Sequence, residues 1–518
     1  MTQNRRIALN VAATYGRSLF SLVCGLFTAR WVLGFLGDVD YGLYGVVGGF
    51  AAFVTFLNGL LAAAVGRFYA FSVGEAKKPG NAEAGLEECR RWFTTALTLH
   101  TVVPVALILI GYPVGEWAIR NFLVVPAERM EACMWVWRWV ALTSFVAMLN
   151  VPFQAMYTAK QNIAELTIYS FATTTLNVFV LYYMVRHPSD WLARYAAWIM
   201  LTSVVPQLII CIRAFVIYPE CRISRAAAFN WRYIRPVLEF AGGRLVNGLS
   251  MMVAGHGQAI VVNKYLGPVA NATMTVGNQV STHAQSLASS MAGALYPAIT
   301  NAAGEGRMDE MRRLALRASK LSVVSMLVFM VPLALEMPYI LKVWLVRPLP
   351  FGAELCVLLL AAATIERMTD GNWMAIFAVG RIFAYQVSVS TCGFFMLAVG
   401  WTLVWAGCGV VGVGISHIAG VVLAMFFRLG FGRRIAGLSI RTWFKAVFLP
   451  VILLAAASLA AGCLPRLVME PSFVRVVATT AMSLAAFLPT AWFFALDGSE
   501  RSYLLSRFRL PGGGRNKE

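Results

Sequence analysis

Five arginines stand inside stretches otherwise apolar enough to cross a membrane: Arg17, Arg30, Arg138, Arg244 and Arg367. A guanidinium at bilayer depth costs about 2.5 to 3.5 kcal/mol even on permissive insertion scales, so each must meet water, headgroups or a partner. The chemistry open to such a set is the holding of an anion rather than bond making, because arginine stays protonated and presents a fixed fork of donors. Arg17 and Arg30 lie toward opposite ends of the first span, where a long side chain can also snorkel to the headgroups; Arg138 is placed for snorkelling. Arg244 follows Gly242-Gly243 and precedes Asn247, which makes a polar face on the first helix of the second half. Arg367 has Glu366 beside it and Asp370 three residues on, so an internal ion pair, or a coupling group, is expected there.

His256, Gln258, Asn263, Gln279, His283 and Gln285 add a polar band to the first two helices of the second half. Gln279 and His283 are four apart and share a helix face. An interior cleft accounts for the band, and helix-to-helix hydrogen bonds serve nearly as well. The candidate substrate contacts are therefore Arg17, Arg30, Arg244, Asn247, His256, Gln279 and His283, with Glu366, Arg367 and Asp370 as the ion-pair or coupling group. His100 and His417 stand alone on apolar helices and are expected to be packed.

No catalytic residue, metal ligand set or cofactor is expected. The chain has no Gly-rich phosphate loop closed by Lys-Ser/Thr, no HExxH and no nucleophile elbow, and its nine cysteines are scattered without a CxxC pair. The longest extramembrane pieces, about 25 residues each, are too small for a catalytic domain. An enzyme is not expected.

The elements that must position these residues follow from composition. Of 518 residues, 59% are hydrophobic and only 13% charged, and the mean hydropathy is +0.69. A soluble chain carries nearer a quarter charged. The sequence is that of an all-α polytopic membrane protein with about fourteen transmembrane helices, since each crossing takes about 20 mostly apolar residues. The net charge of +19 reads as basic loops, not as a nucleic-acid surface. With the N-terminus inside, 29 of the 43 Lys and Arg fall in cytoplasmic segments and nine outside, a bias held along the whole chain, so both termini are expected in the cytoplasm.

The spans fall into two pseudo-symmetric six-helix lobes, 1–212 and 237–432, joined by a cytoplasmic linker at 213–236. Two additional helices at 443–496 and a basic tail at 497–518 follow. The evidence for duplication is a set of echoes. Leu36-Gly37 and Gly74-Glu75 return 230 positions later as Leu266-Gly267 and Gly304-Glu305, and Ala155, Ala164 and Ser170 return at an offset of 220 as Ala375, Ala384 and Ser390. Internal repeats of this kind are a signature of secondary transporters, and an even number of spans per copy gives both copies one orientation.

The run from Arg30-Trp31-Val32-Leu33-Gly34 through Asp40-Tyr41-Gly42-Leu43-Tyr44-Gly45 resembles the opening of Wzx-type polysaccharide flippases, in the MATE-like multidrug/oligosaccharidyl-lipid/polysaccharide exporter superfamily. So do Gly267-Pro268-Val269-Ala270-Asn271-Ala272, Gly304-Glu305-Gly306-Arg307-Met308 and the Glu336-to-Leu345 segment. The resemblance covers most of residues 1–440. It implies an alternating-access carrier in a bacterial plasma (inner) membrane that moves an isoprenoid-diphosphate-linked oligosaccharide outward for cell-surface polysaccharide biosynthesis, with a polysaccharide polymerase and export machinery as possible partners. A diphosphate calls for multidentate cations in a wet cleft, which Arg17, Arg30 and Arg244 would supply. A cation-coupled multidrug antiporter is the alternative that Glu366 and Asp370 keep open, and a lipid II flippase or a structural scaffold for glycan assembly are further ones.

Overall fold

The structure is a computed structural model that describes residues 3–49, parts of 57–72, 82–160, 162–187, 189–224, 229–293, 295–345, 347, 349–380, 382–495 and 501. The side chains of Arg17, Arg244 and Asn247, and the Gly74-Glu75 pair, lie outside the described residues. The helices run α1 Gln3–Val47, α2 Ala82–Asn121, α3 Met130–Ala159, α4 Ile163–Arg186, α5 Leu192–Ile217, α6 Trp231–Met252, α7 Gln258–Leu266, α8 Pro268–Gly293 and α9 Tyr296–Gly304. They continue as α10 Met308–Trp344, α11 Gly352–Arg367, α12 Asp370–Val379, α13 Phe383–Trp405, α14 Gly409–Ala436, α15 Ile440–Trp443, α16 Leu449–Val468 and α17 Phe473–Thr490. Among the described residues there is no strand, and nine helices are long and apolar enough to cross a membrane. A spanning chain has little choice, because in hydrocarbon every backbone donor and acceptor must be satisfied within the segment.

The duplication is written into the backbone. α1 breaks at Gly37 (φ 75°, ψ 175°), and α7 ends at Gly267 (φ 81°, ψ −179°), the same conformation at the 230 offset. Only glycine takes that conformation without strain, which is why the dipeptide repeats. Farther on, α3 stops at Ala159 and α4 starts at Ile163, while α12 stops at Val379 and α13 starts at Phe383, each 220 positions later.

Two expected spans are divided. The apolar run Ala270 to Pro297 becomes α8 and α9, and the run Phe351 to Val379 breaks at Met368-Thr369 between α11 and α12. At the second break Thr369 Oγ1 donates back to the Glu366 carbonyl at 3.2 Å. Arg428 of α14 also donates to the Glu366 carbonyl and Trp443 of α15 to the Met368 carbonyl, which helps the break persist in an apolar setting.

The chain forms two compact units that cut across the sequence repeat. The first comprises Met1–Thr275, Trp344–Phe351 and Gly393–Val413. Its core gathers Tyr69, Phe93, Met156 and Tyr157 with Cys89 and Cys221. Within it the two copies touch: a Cβ on Gly42 would stand 1.8 Å from the Pro268 carbonyl oxygen and 3.1 Å from the Ala272 nitrogen. The second unit comprises Val276–Val343, Gly352–Cys392 and Gly414–Glu518. There α16 and α17 close over α10, with Val323, Leu327, Val331, Val447, Leu454 and Phe487 in one cluster. Glu336 of α10, fully buried, accepts from Arg475 Nε (3.1 Å), from a second guanidinium nitrogen of Arg475 (2.8 Å) and from Thr479 Oγ1 (2.9 Å). That ion pair fastens α17 to the lobe.

Candidate functional site

The break between α11 and α12 holds a charged network in the second unit. Arg367 lies 3.6 Å from Glu366 and 3.3 Å from Asp370, so the expected local ion pairs are present. Arg428 of α14, 8% exposed, completes the set: it donates to Glu366 Oε1 at 3.0 Å, to the Glu366 carbonyl at 3.3 Å and to Thr369 Oγ1 at 3.3 Å. Asp370 also accepts from Ser322 Oγ of α10 and from Trp373 Nε1 at 3.2 Å. Gln285 of the polar band joins from α8 by accepting from Arg367 at 3.3 Å. Two carboxylates face two guanidiniums, so the network is formally neutral. Asp370 and Arg428 are buried and Glu366 and Arg367 half-buried, and charges so placed persist only when paired and hydrogen-bonded.

Close packing holds the network in register. Gly371 donates its amide to Ser319 Oγ at 2.9 Å, and a Cβ there would come within 1.7 Å of the Ala315 carbonyl oxygen. The Met368 carbonyl, freed by the break, accepts from Trp443 Nε1 at 2.8 Å.

In the first unit Arg30 opens onto a cavity of about 510 Å³ whose lining includes Trp31, Phe35, Met184, Ser189 and Trp191. That volume is in the range of small-ligand sites. Its aromatic walls are braced by further rings, with Phe35 edge-on to Tyr195 at 5.6 Å and Trp31 at 6.1 Å from Tyr182. Beside it Arg129 lies 3.2 Å from Asp40 and 2.9 Å from Asp190. The arrangement can take a polar or anionic group on the guanidinium with apolar faces around it.

His256 sits in a π-helical turn, Val253–Gly257, between α6 and α7, half-buried, and a Cβ on Gly49 would stand 3.0 Å from its Nδ1. Such π-bulges recur at functional sites. Gln279 and His283 lie half-buried on α8 in the second unit. Other members of the polar band prove to be ties between helices: Gln258 donates to the Met396 carbonyl at 3.0 Å, and Asn263 accepts from the Val124 amide at 2.7 Å. His100 is fully buried with Nδ1 2.7 Å from the Ala96 carbonyl oxygen. Arg138 is exposed and stacks over Trp135 at 4.7 Å.

Arg428 is the residue that sequence reasoning missed, because it follows the apolar run ending at Phe427 and reads as the first residue of a basic loop. The available signal was the imbalance of Glu366 and Asp370 against Arg367 alone.

No protein-family model and no curated protein matches the sequence. Solved structures do. A lipid II flippase, MurJ, in an inward closed conformation superposes with a TM-score of 0.69 at 12% identity, over 94% of this chain and 98% of that one. The fold is that of the MOP-superfamily transporters. An inward-facing MATE-family multidrug resistance transporter of that superfamily matches with a TM-score of 0.62 at 14% identity, over 80% of this chain and 94% of its own. A MOP-superfamily transporter from Pyrococcus furiosus matches with 0.52 at 15% identity, over 83% and 94%. The MOP fold accounts for the all-helical, duplicated, multi-pass architecture.

Proposed function

We propose that this chain is an alternating-access flippase that carries an isoprenoid-diphosphate-linked oligosaccharide from the cytoplasmic to the outer leaflet of a bacterial inner membrane, both termini being cytoplasmic. The observation that carries the reading is the pairing of Glu366 and Asp370 with Arg428 and Arg367. A cation-coupled drug antiporter needs a carboxylate free to exchange a proton or ion, and these two are taken. A diphosphate needs cations instead. Arg30 on its cavity is one, and Arg17 and Arg244 are proposed to extend the path, with Asn247, His256, Gln279 and His283 as polar contacts for the saccharide.

A lipid II flippase is the second reading, and chain coverage favours it. The match to the lipid II flippase covers 94% of this chain, whereas the MATE-family transporter covers 80%. Depletion of the protein in its host, with isoprenoid-linked saccharides quantified on the cytoplasmic leaflet and drug accumulation followed in parallel, tests both. Build-up of a linked saccharide with flat drug levels supports the flippase, and the accumulated species tells a surface-polysaccharide precursor from a cell-wall one. Unchanged saccharides with rising cationic drug overturn it.

A further inference from the structure

The described residues around the junction of α5 and α6 fall into a fastened set and an exposed set. One is fastened to the first unit: Arg90 Nε donates to the Pro219 carbonyl (3.1 Å), the Ser224 amide to Thr94 Oγ1 (2.8 Å), Ser224 Oγ to Glu87 (3.1 Å) and Tyr233 OH to Glu88 (3.0 Å). Glu220 turns inward to Lys160, and the Trp92 and Tyr233 rings meet edge to face at 4.9 Å. Ile223, Phe229 and Trp231 are instead exposed, at 57%, 77% and 63%. Arg222 and Arg232, both exposed, stand beside them in the chain, and no described residue from Arg222 to Arg235 is acidic.

The fastening removes the usual remedy for exposed apolar groups, which is to fold them under. Large aromatic side chains held out beside cations fit the headgroup layer of a membrane, where rings sit at the interface and arginines meet anionic lipid. The segment begins only a few residues beyond α5, itself a candidate span. A soluble protein is the other possible cover, but the cationic, acid-free composition favours a phosphate-rich surface.

We propose that Arg222 and Arg232, with Ile223, Phe229 and Trp231, form a docking surface for anionic phospholipid headgroups. Because α6 opens the second sequence copy, the surface ties the junction of the two copies to the membrane. The proposal is independent of which substrate is carried.

The test uses full-length protein in nanodiscs of phosphatidylcholine alone or with phosphatidylglycerol, with hydrogen–deuterium exchange read over Phe229 to Arg235. Two arginines near an anionic surface strengthen partition about thirtyfold, so exchange slows severalfold in the phosphatidylglycerol discs. The Arg222→Gln/Arg232→Gln variant loses that difference while its α5 peptides stay protected as in wild type. Equal exchange of wild-type protein in both lipids, or a difference that survives in the double variant, overturns the proposal. Exchange that ignores lipid and slows only with added soluble extract points to a protein partner and overturns it too.

Discussion

Gly42 packs against Ala272, which is its own counterpart at the 230 offset, and Gly45 likewise packs against Thr275, with a Cβ on Gly45 falling 2.6 Å from Thr275 Oγ1. Residues that touch their own repeats lie on a pseudo-twofold axis, as in an isologous interface. The axis therefore passes between the part of α1 after Gly37 and the start of α8, at a crossing too tight for any side chain on Gly42. Gly42→Val forces the two helices apart, at a cost of about 1–3 kcal/mol for overpacking. Faster hydrogen exchange across Val262 to Thr275, with lost export, is the expected outcome. Gly45→Ala is milder, because only a rotatable hydroxyl must move.

The Glu336–Arg475 pair is buried on both sides. Arg475→Met strands a carboxylate in the interior and destabilises by about 3 kcal/mol. Replacing both partners, as Glu336→Met/Arg475→Met, recovers most of that loss. Thermal unfolding in one detergent compares the three proteins, and a double variant no better than the single would show that the pair is not what holds α17.

In the charged network Gly371→Ala pushes α12 off the Ala315 carbonyl, while Arg428→Met leaves Glu366 short of its second cation. Each is expected to cost transport more than insertion. Export measured against the amount of folded protein checks this. Glu366→Gln/Arg428→Met restoring export would mark the network as a neutral structural latch, whereas a double variant that stays dead points to a coupling role.

Alanine at Arg30 alone removes one charge-assisted contact, worth about tenfold in apparent substrate affinity. Alanine at Arg17, Arg30 and Arg244 together is expected to abolish export of linked saccharide from an inserted protein. Undiminished export by the triple variant would remove these arginines from the path.

Of the nine cysteines Cys408 alone is exposed, in the turn between α13 and α14. On the proposed topology it faces outward, so a membrane-impermeant maleimide labels it in intact cells. Cys89 and Cys221, on the opposite side, are buried, and burial pushes the Cys221 thiol up. Both are expected to react with maleimide only after unfolding, because neither is accessible in the fold. Labelling of Cys408 that requires broken cells would invert the topology.

Some of this was legible along the chain because it depends on local composition. Apolar length marked the helical, membrane-spanning class but not the breaks inside two of the spans, and the recurrence of Leu36-Gly37 as Leu266-Gly267 located two backbone breaks that only glycine tolerates. Adjacency at Glu366, Arg367 and Asp370 announced ion pairs, since opposite charges so near along the chain reach one another even across the break at Met368-Thr369. What the tertiary structure alone decided is which distant groups answer them. Arg428 reaches Glu366 across 62 positions, Arg475 reaches Glu336 across 139, and Asn263 is spent on the Val124 backbone instead of a cleft. Helical periodicity says which face a polar side chain occupies. Whether that face meets water, lipid or an opposite charge depends on how separate helices pack, and the cost of burying a charge is then met by whichever partner the packing supplies.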